Sequence, residues 1–303
     1  MVVRAGVVAA AGGSVVDITA SFDRRVQCKS DRIHLRSVAI SLTCRSLPSD
    51  GPPVALAWTE DAARILFPAF DAGARHVYSV AVSGADSSET VLRHTAGRQQ
   101  LAQFSAVGHS LAVAVETEAC PSEIVCYDLD WAQQADDEQL AGRPLTAANA
   151  GWREEFHTEH AERFTCTASD GLSIEGWTYK PHGWVEGSKY PAVMQVHGGP
   201  HGMHGNTHRR HGCATASLLQ VLAGAGFDVI VVNPRGSSGY GQDFSDGSVG
   251  DWGGKDYQDL MTAVDAALSA RPWIDEDRLG ICGGSFGGFM SVSLRCRLDW
   301  LAV

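Results

Sequence analysis

The sequence predicts a mixed α/β domain preceded by a smaller all-β region, and three observations carry that expectation. From residue 164 onward, apolar runs of strand length alternate with stretches of helical periodicity. Upstream of residue 136, short alternating strands recur at a fixed offset. Near the end of the chain, a glycine-flanked serine stands between an apolar strand and a helix-like segment.

Residues 1–47 align with neither copy of the repeat and receive no structural assignment. The first copy runs from Ala55-Leu56-Ala57-Trp58 through Ile65-Leu66-Phe67 to Val77-Tyr78-Ser79-Val80. The second runs from Ala102-Gln103-Phe104-Ser105 through Leu111-Ala112-Val113 to Ile124-Val125-Cys126-Tyr127, with Phe104 lying 46 residues after Trp58. Units of that length built from short strands suit four-stranded propeller blades, with an ordinary antiparallel sandwich as the alternative. A polar stretch from Asp136 to Arg163 marks the junction, so 48–150 reads as a partial β-propeller and 151–303 as a partial α/β domain.

Within the second region, Asp170-Gly171 separates two strands and is a strong hairpin signal. Pro191–Val196 and Phe227–Val232 are largely apolar, as strands buried on both faces must be, and Thr215 to Ala225 between them reads as a helix. Tyr257, Leu260, Met261, Val264 and Leu268 recur at helical spacing and form one apolar face. A strand over Arg278–Cys282 follows.

That last strand runs into Gly283-Gly284-Ser285-Phe286-Gly287, a G-x-S-x-G match in strand-to-helix context. The glycines permit a sharp turn that leaves the hydroxyl uncovered, which makes Ser285 the candidate nucleophile. The glycine-rich loop His197-Gly198-Gly199-Pro200-His201-Gly202 follows an apolar strand and can offer a backbone N–H to a carbonyl held on Ser285. The N–H of Phe286 supplies a second donor, and together they would form an oxyanion hole. This architecture is the truncated form of an α/β-hydrolase fold, whose triad runs serine, acid, histidine along the chain. No histidine follows Ser285, and Asp299 stands too close behind the turn to be the acid. The 303-residue chain therefore reads as a fragment lacking its triad Asp and His, and inactive alone.

Four segments, His197–Gly202, Asn233–Phe244, Gly250–Leu260 and Gly283–Met290, resemble the prolyl oligopeptidase family of serine peptidases, in its acylaminoacyl-peptidase and dipeptidyl-peptidase V type. The resemblance implies an N-terminal β-propeller joined to a C-terminal α/β-hydrolase domain, with short peptides as substrates. It also implies more blades than the repeats supply. Carried over by position, the nucleophile falls on Ser285 and the backbone oxyanion donors on Gly199 and Phe286. No cofactor and no metal are implied. A carboxylic ester hydrolase on the same fold and a non-catalytic propeller interaction protein stay open as alternatives.

Other residues have two readings each. His197, His201, His204, His208 and His211 fall at helical spacing, yet the interspersed glycines and Pro200 argue against a helical metal site. Arg235 can meet a substrate carbonyl or pin its own loop through Asp243 or Asp251. Asp251, Asp256 and Asp259 suit the start of a helix, and Trp252 is expected to pack beneath the loop.

Composition sets the remaining bounds. A formal net charge of -11 with no cluster of Lys and Arg excludes a nucleic-acid partner. No segment approaches the ~20 apolar residues of a membrane helix, and residues 1–16 make a poor signal peptide. Eight scattered cysteines fit reduced thiols in the cytoplasm, with Cys120 and Cys126 as the one pair close enough in sequence to suggest a disulfide. The number of subunits is left open, a homo-oligomer included.

Overall fold

The computed structural model describes residues 4–9, 16–17, 32–35, 38–43, 56–81, 91–135, 142–208 and 215–297, with backbone alone up to residue 43 and at 215–217 and 295–297. Asp136, at the start of the polar stretch, His211 and Asp299 lie outside the described residues. The chain divides into two units, Met1–Glu154 with Gly205–Thr207, and Glu155–His204 with His208–Val303.

In the first unit, residues left unassigned from sequence contain β1 (Arg4–Ala9), β2 (Val16–Asp17), β3 (Arg32–Leu35) and β4 (Val38–Thr43), in an antiparallel sheet ordered β2-β1-β4-β3. Next come β5 (Ala57–Trp58), β6 (Arg64–Asp71), β7 (Ala74–Ala81) and β8 (Leu92–Arg93), then β9 (Gln100–Val107), β10 (Ser110–Thr117), β11 (Cys120–Asp128) and β12 (Arg143–Pro144). These eight form one sheet whose two antiparallel meanders meet at a single parallel pair, Arg75 with Gln100. Each copy of the sequence repeat takes in the first three strands of one meander, and β8 and β12 lie beyond the copies. Leu66, Val77, Leu101, Leu111, Val113 and Tyr127 alternate inward and share one core with Leu129 and Trp131. The short helix α1 (Ala150–Glu155) follows a segment gathered by Glu123, whose carboxylate accepts from the N–H groups of Ala148 and Asn149. Cys120 and Cys126 are both free thiols, so the pairing suggested by their spacing is not made.

In the second unit, the hairpin β13 (Ala161–Thr167) and β14 (Ser173–Tyr179) turns at Gly171, whose φ of 87° requires a glycine-like backbone. It continues through β15 (Tyr190–Val196), α2 (Thr215–Gly224), β16 (Asp228–Asn233), the short α3 (Gln242–Asp246), α4 (Lys255–Ala270), β17 (Ile274–Gly283) and α5 (Phe286–Arg297). The sheet order is β13-β14-β16-β15-β17, with β16, β15 and β17 mutually parallel and β14 of the hairpin antiparallel to β16. β17 is longer than expected, beginning at Ile274.

The period of two within β16 divides the core. Val229 and Val231 face α2 with Trp177, Leu219 and Ala223, whereas Ile230 and Val232 face α4 and α5 with Leu260, Val264, Phe286 and Met290. Both faces of the sheet are thereby covered, which is why this strand is apolar throughout its centre. No helix among the described residues is long and apolar enough to cross a membrane.

One buried carboxyl opposes this packing. Asp228 is fully buried at the start of β16, where Trp273 Nε1 donates to its Oδ2 at 2.9 Å and its Oδ1 has no partner. Burial pushes its pKa up to about 6 from the ordinary 3.8. The folded state thus retains a proton that the unfolded chain releases, so stability falls as pH rises from 3.8 to about 6 and stays reduced above it. Asp228→Asn, which keeps an acceptor for Trp273 and cannot ionise, should stabilise the protein at pH 7.5 by up to about 3 kcal/mol and have little effect near pH 4. Denaturant titrations at the two pH values check this, and an equal effect at both would refute the charge argument.

Candidate active site

The elbow is built by close backbone packing. Val196 of β15 stands opposite Gly283 of β17 in register, which carries the end of β15 against the turn that follows β17. A Cβ on Gly287 would lie 2.1 Å from the Val196 carbonyl oxygen, and one on Gly283 would lie 2.6 Å from the Gly287 carbonyl. Neither position has space for a side chain. Ser285 is therefore forced to turn sharply, with φ at 58°, a left-handed value that is costly outside glycine. Its Gly284 and Phe289 neighbours close the turn through Gly287 N–H to Gly284 O at 2.9 Å and Phe289 N–H to Ser285 O at 3.0 Å. Ser285 is exposed, while Phe286 beside it is buried among the α4 and α5 core residues.

The glycine-rich loop lies directly against this turn. A Cβ on Gly198 would meet the Gly284 carbonyl oxygen at 3.0 Å and Ser285 Cβ at 3.4 Å. Gly199 has φ at 140° and is exposed, and Phe286 opens α5, where a helix leaves its first N–H groups without internal partners. An exposed hydroxyl, a neighbouring glycine loop and a helix N-terminus can together hold an acyl group and stabilise negative charge on its oxygen.

The loop is fixed from behind by a second loop, after β16. Ser238 N–H donates to Gly202 O at 2.9 Å, Ser238 Oγ donates to His201 O at 2.6 Å, and His201 Nδ1 donates to Gly236 O at 2.9 Å. His197 is fully buried, with Nδ1 donating to Gly198 O and Nε2 at 2.9 Å from Ser237 Oγ. His204 is bracketed by Asn233, which accepts from its N–H at 2.7 Å and donates to its carbonyl at 2.9 Å. These histidines serve the loop scaffold, and among the described residues they do not converge as a metal-binding group.

Arg235 anchors that second loop, though not through the residues its sequence suggested. Neither Asp243 nor Asp251 is its partner. Its Nε and one terminal nitrogen donate to Asp259 at 2.8 Å each, and its other contacts are to Asp170 at 2.7 and 3.0 Å. Asp259 also accepts the Arg235 backbone N–H at 2.9 Å. Asp259 is fully buried, so it is the counter-ion of Arg235 rather than a helix-dipole residue. The paired guanidinium holds the Asp170 carboxyl well below the usual range. Sequence reasoning missed both acids as anchors. Asp259 had one available signal, an acid beside Leu260 on the apolar face of α4.

Trp252 is also placed differently: it is 53% exposed rather than buried under its loop. Its ring meets Phe286 edge-on at 5.1 Å and lies 6.1 Å from Phe289, extending an aromatic surface beside Ser285.

A parallel-stranded α/β unit with an exposed serine on a strained strand-to-helix turn defines an α/β protein of the hydrolase type. Residues 213–295 match the model of the prolyl oligopeptidase family, so the chain carries a domain of that family. It is 34% identical over 237 residues to the uncharacterized peptidase YuxL of Bacillus subtilis, covering 77% of this chain and 33% of that one. It is 26% identical over 275 residues to the probable dipeptidyl-peptidase 5 of Emericella nidulans, covering 90% and 36%. Among solved structures, an acylaminoacyl peptidase in complex with Z-Gly-Gly-Phe-chloromethyl ketone superposes with a TM-score of 0.71 at 25% identity, covering 95% of this chain and 38% of that one. The uncomplexed Pyrococcus horikoshii acylaminoacyl peptidase gives 0.70 over the same shares. The chain spans about a third of the length of these two relatives.

Two substitutions test the construction of the site. Gly287→Ala should cost about 3 kcal/mol because backbone meets its methyl, while Gly284→Ala, which has open space, should stay within ~0.5 kcal/mol. Equal costs in urea titrations would contradict the packing. Arg235→Met should cost about 3–5 kcal/mol by leaving Asp259 buried without a cation, and adding Asp259→Leu should recover most of that loss. A double variant no more stable than Arg235→Met would show that the pair acts otherwise.

Proposed function

We propose that the protein is a serine-type peptidase acting on short peptides, with Ser285 as its nucleophile. The observation that carries this reading is the exposed Ser285 at φ 58°, with Gly198 packed against its Cβ. The hydroxyl oxygen bonds to the substrate carbonyl carbon as a base takes its proton, and the carbonyl oxygen gains charge beside the N–H groups of Gly199 and Phe286. Collapse of that intermediate breaks the C–N bond, the amine leaves with a proton, and water then releases the acid from the serine ester. His197 is a poor choice for the base, because both of its ring nitrogens are engaged in holding the loops, and His201 commits its Nδ1 to Gly236 O.

In the same reading, the two meanders within 48–150 are part of a β-propeller that admits peptides by size, and 151–303 is part of the peptidase domain. The 46-residue repeat and its match to two four-stranded meanders support this. Free thiols at Cys120, Cys126, Cys166 and Cys282 support a cytoplasmic setting. No cofactor is required by this chemistry.

The full-length protein should react covalently with a fluorophosphonate and release amine from short peptide amides. Ser285→Ala should lose both the label and the turnover above background. Labelling retained in that variant would place the nucleophile elsewhere, and labelling with ester but no amide turnover would favour an ester hydrolase.

A further inference from the structure

We propose that His157, Glu159 and His182 form a binding site for a divalent first-row transition ion of the zinc class, separate from Ser285. Glu159 Oε1 accepts from His157 Nε2 at 2.8 Å and from His182 Nδ1 at 3.0 Å, and the two imidazole centroids lie 4.6 Å apart. Among the described residues, this is the one group of three His, Cys, Asp or Glu side chains whose ligand atoms converge, all within 4.8 Å of one another.

The separations are close to those a bound ion needs. Two nitrogens and one oxygen around tetrahedral zinc, with bonds of about 2.0–2.1 Å, stand about 3.3 Å apart. Each nitrogen needs to move from the carboxylate oxygen by only a few tenths of an ångström, and the two nitrogens, within 4.8 Å of each other, settle to the same spacing as the ion replaces the two ring protons that now bridge to the carboxylate. Imidazole and carboxylate suit zinc, copper or nickel better than calcium or magnesium, and the three ligands leave a fourth position for water. The nearby Lys180 does not compete for Glu159: its ammonium pairs with Glu162 at 2.8 Å and lies over the rings of Trp184 and Trp273.

The backbone under these side chains is held in place. Gln220 of α2 donates to Glu159 O at 3.0 Å and accepts from Glu159 N–H at 2.8 Å, and His182 N–H donates to Ala223 O at 2.8 Å. The β13/β14 register pairs Ala161 with Tyr179, so His157 and Glu159 precede the open end of the hairpin and His182 follows it. The ion would clamp the entering and leaving chains of that hairpin together on α2. Tyr179 pairs with Val229 at the start of β16, while Ser285 follows Gly283 at the far end of the parallel strands and at the other edge of the sheet. This placement assigns the ion a structural role.

Calorimetric titration of the 303-residue chain with Zn²⁺ should show a site that His182→Ala and Glu159→Gln each weaken by at least ~10-fold, and Co²⁺ loading should give visible d–d bands without thiolate charge transfer. The His157 and His182 side chains are 62% and 56% exposed, and Glu159→Gln preserves size, so circular dichroism should show folded variants. Unchanged affinity and stoichiometry in the folded variants, no Zn²⁺ binding by the chain, or a thiolate band at the tightest site would overturn the proposal. If one variant fails to fold, the other and His157→Ala decide it.

Discussion

The ion pair between Arg235 and Asp259 sets the position of nearly everything around Ser285. A guanidinium buried this deeply requires a carboxylate in bidentate geometry, because its desolvation is otherwise uncompensated. Asp259 meets that need from within α4, Asp170 from the tip of the β13/β14 hairpin, and the backbone N–H of Arg235 binds the same Asp259 carboxylate. Three elements distant in sequence are joined at one point. The loop after β16 leaves that point in a fixed direction, and Ser238 and Gly236 then hold His201 and Gly202. The orientation of the glycine loop against the elbow is thus inherited from a charge pair that lies outside the elbow itself.

The second constraint is steric. Val196 O occupies the space in which any residue larger than glycine at 287 would place its Cβ. Helix α5 can consequently approach the end of β15 more closely than an ordinary strand-to-helix connection permits. That approach brings the N-terminus of α5 beside Ser285 and leaves the serine in a left-handed conformation. Strain at Ser285 is local, but the packing that maintains it is distributed across two strands and a helix.

Legibility in sequence followed the range of each interaction. Strands β15 and β16 and helix α4 were readable because their burial imposes composition and period on consecutive residues. The glycine-flanked serine was readable because the whole turn lies within five residues. Arg235 could be picked out, but its partners could not: Asp259 is 24 positions away and Asp170 is 65, and two nearer acids were equally plausible on charge alone. Trp252 was misplaced because a tryptophan's size argues for burial, whereas here it lies exposed against the edge of buried Phe286 and beside exposed Phe289. The strands of residues 1–43 carried no repeat and no sustained alternation that could be aligned. His157, Glu159 and His182 meet only through the pairing of β13 with β14, so no local pattern announces them.

The single Arg75–Gln100 pair between the two meanders has a mechanical meaning. Within each meander the strands are zipped by ladders of consecutive pairs, so pulling them apart means breaking many bonds at once. At the boundary, the backbone ladder is one rung deep, reinforced by side-chain bonds such as Gln100 Nε2 to Gly73 O at 3.0 Å. Thermal opening should therefore begin as a hinge at this seam, with each meander exchanging its amides as a separate cooperative block. A wall assembled from such blocks can spread briefly along one line while its strands remain intact.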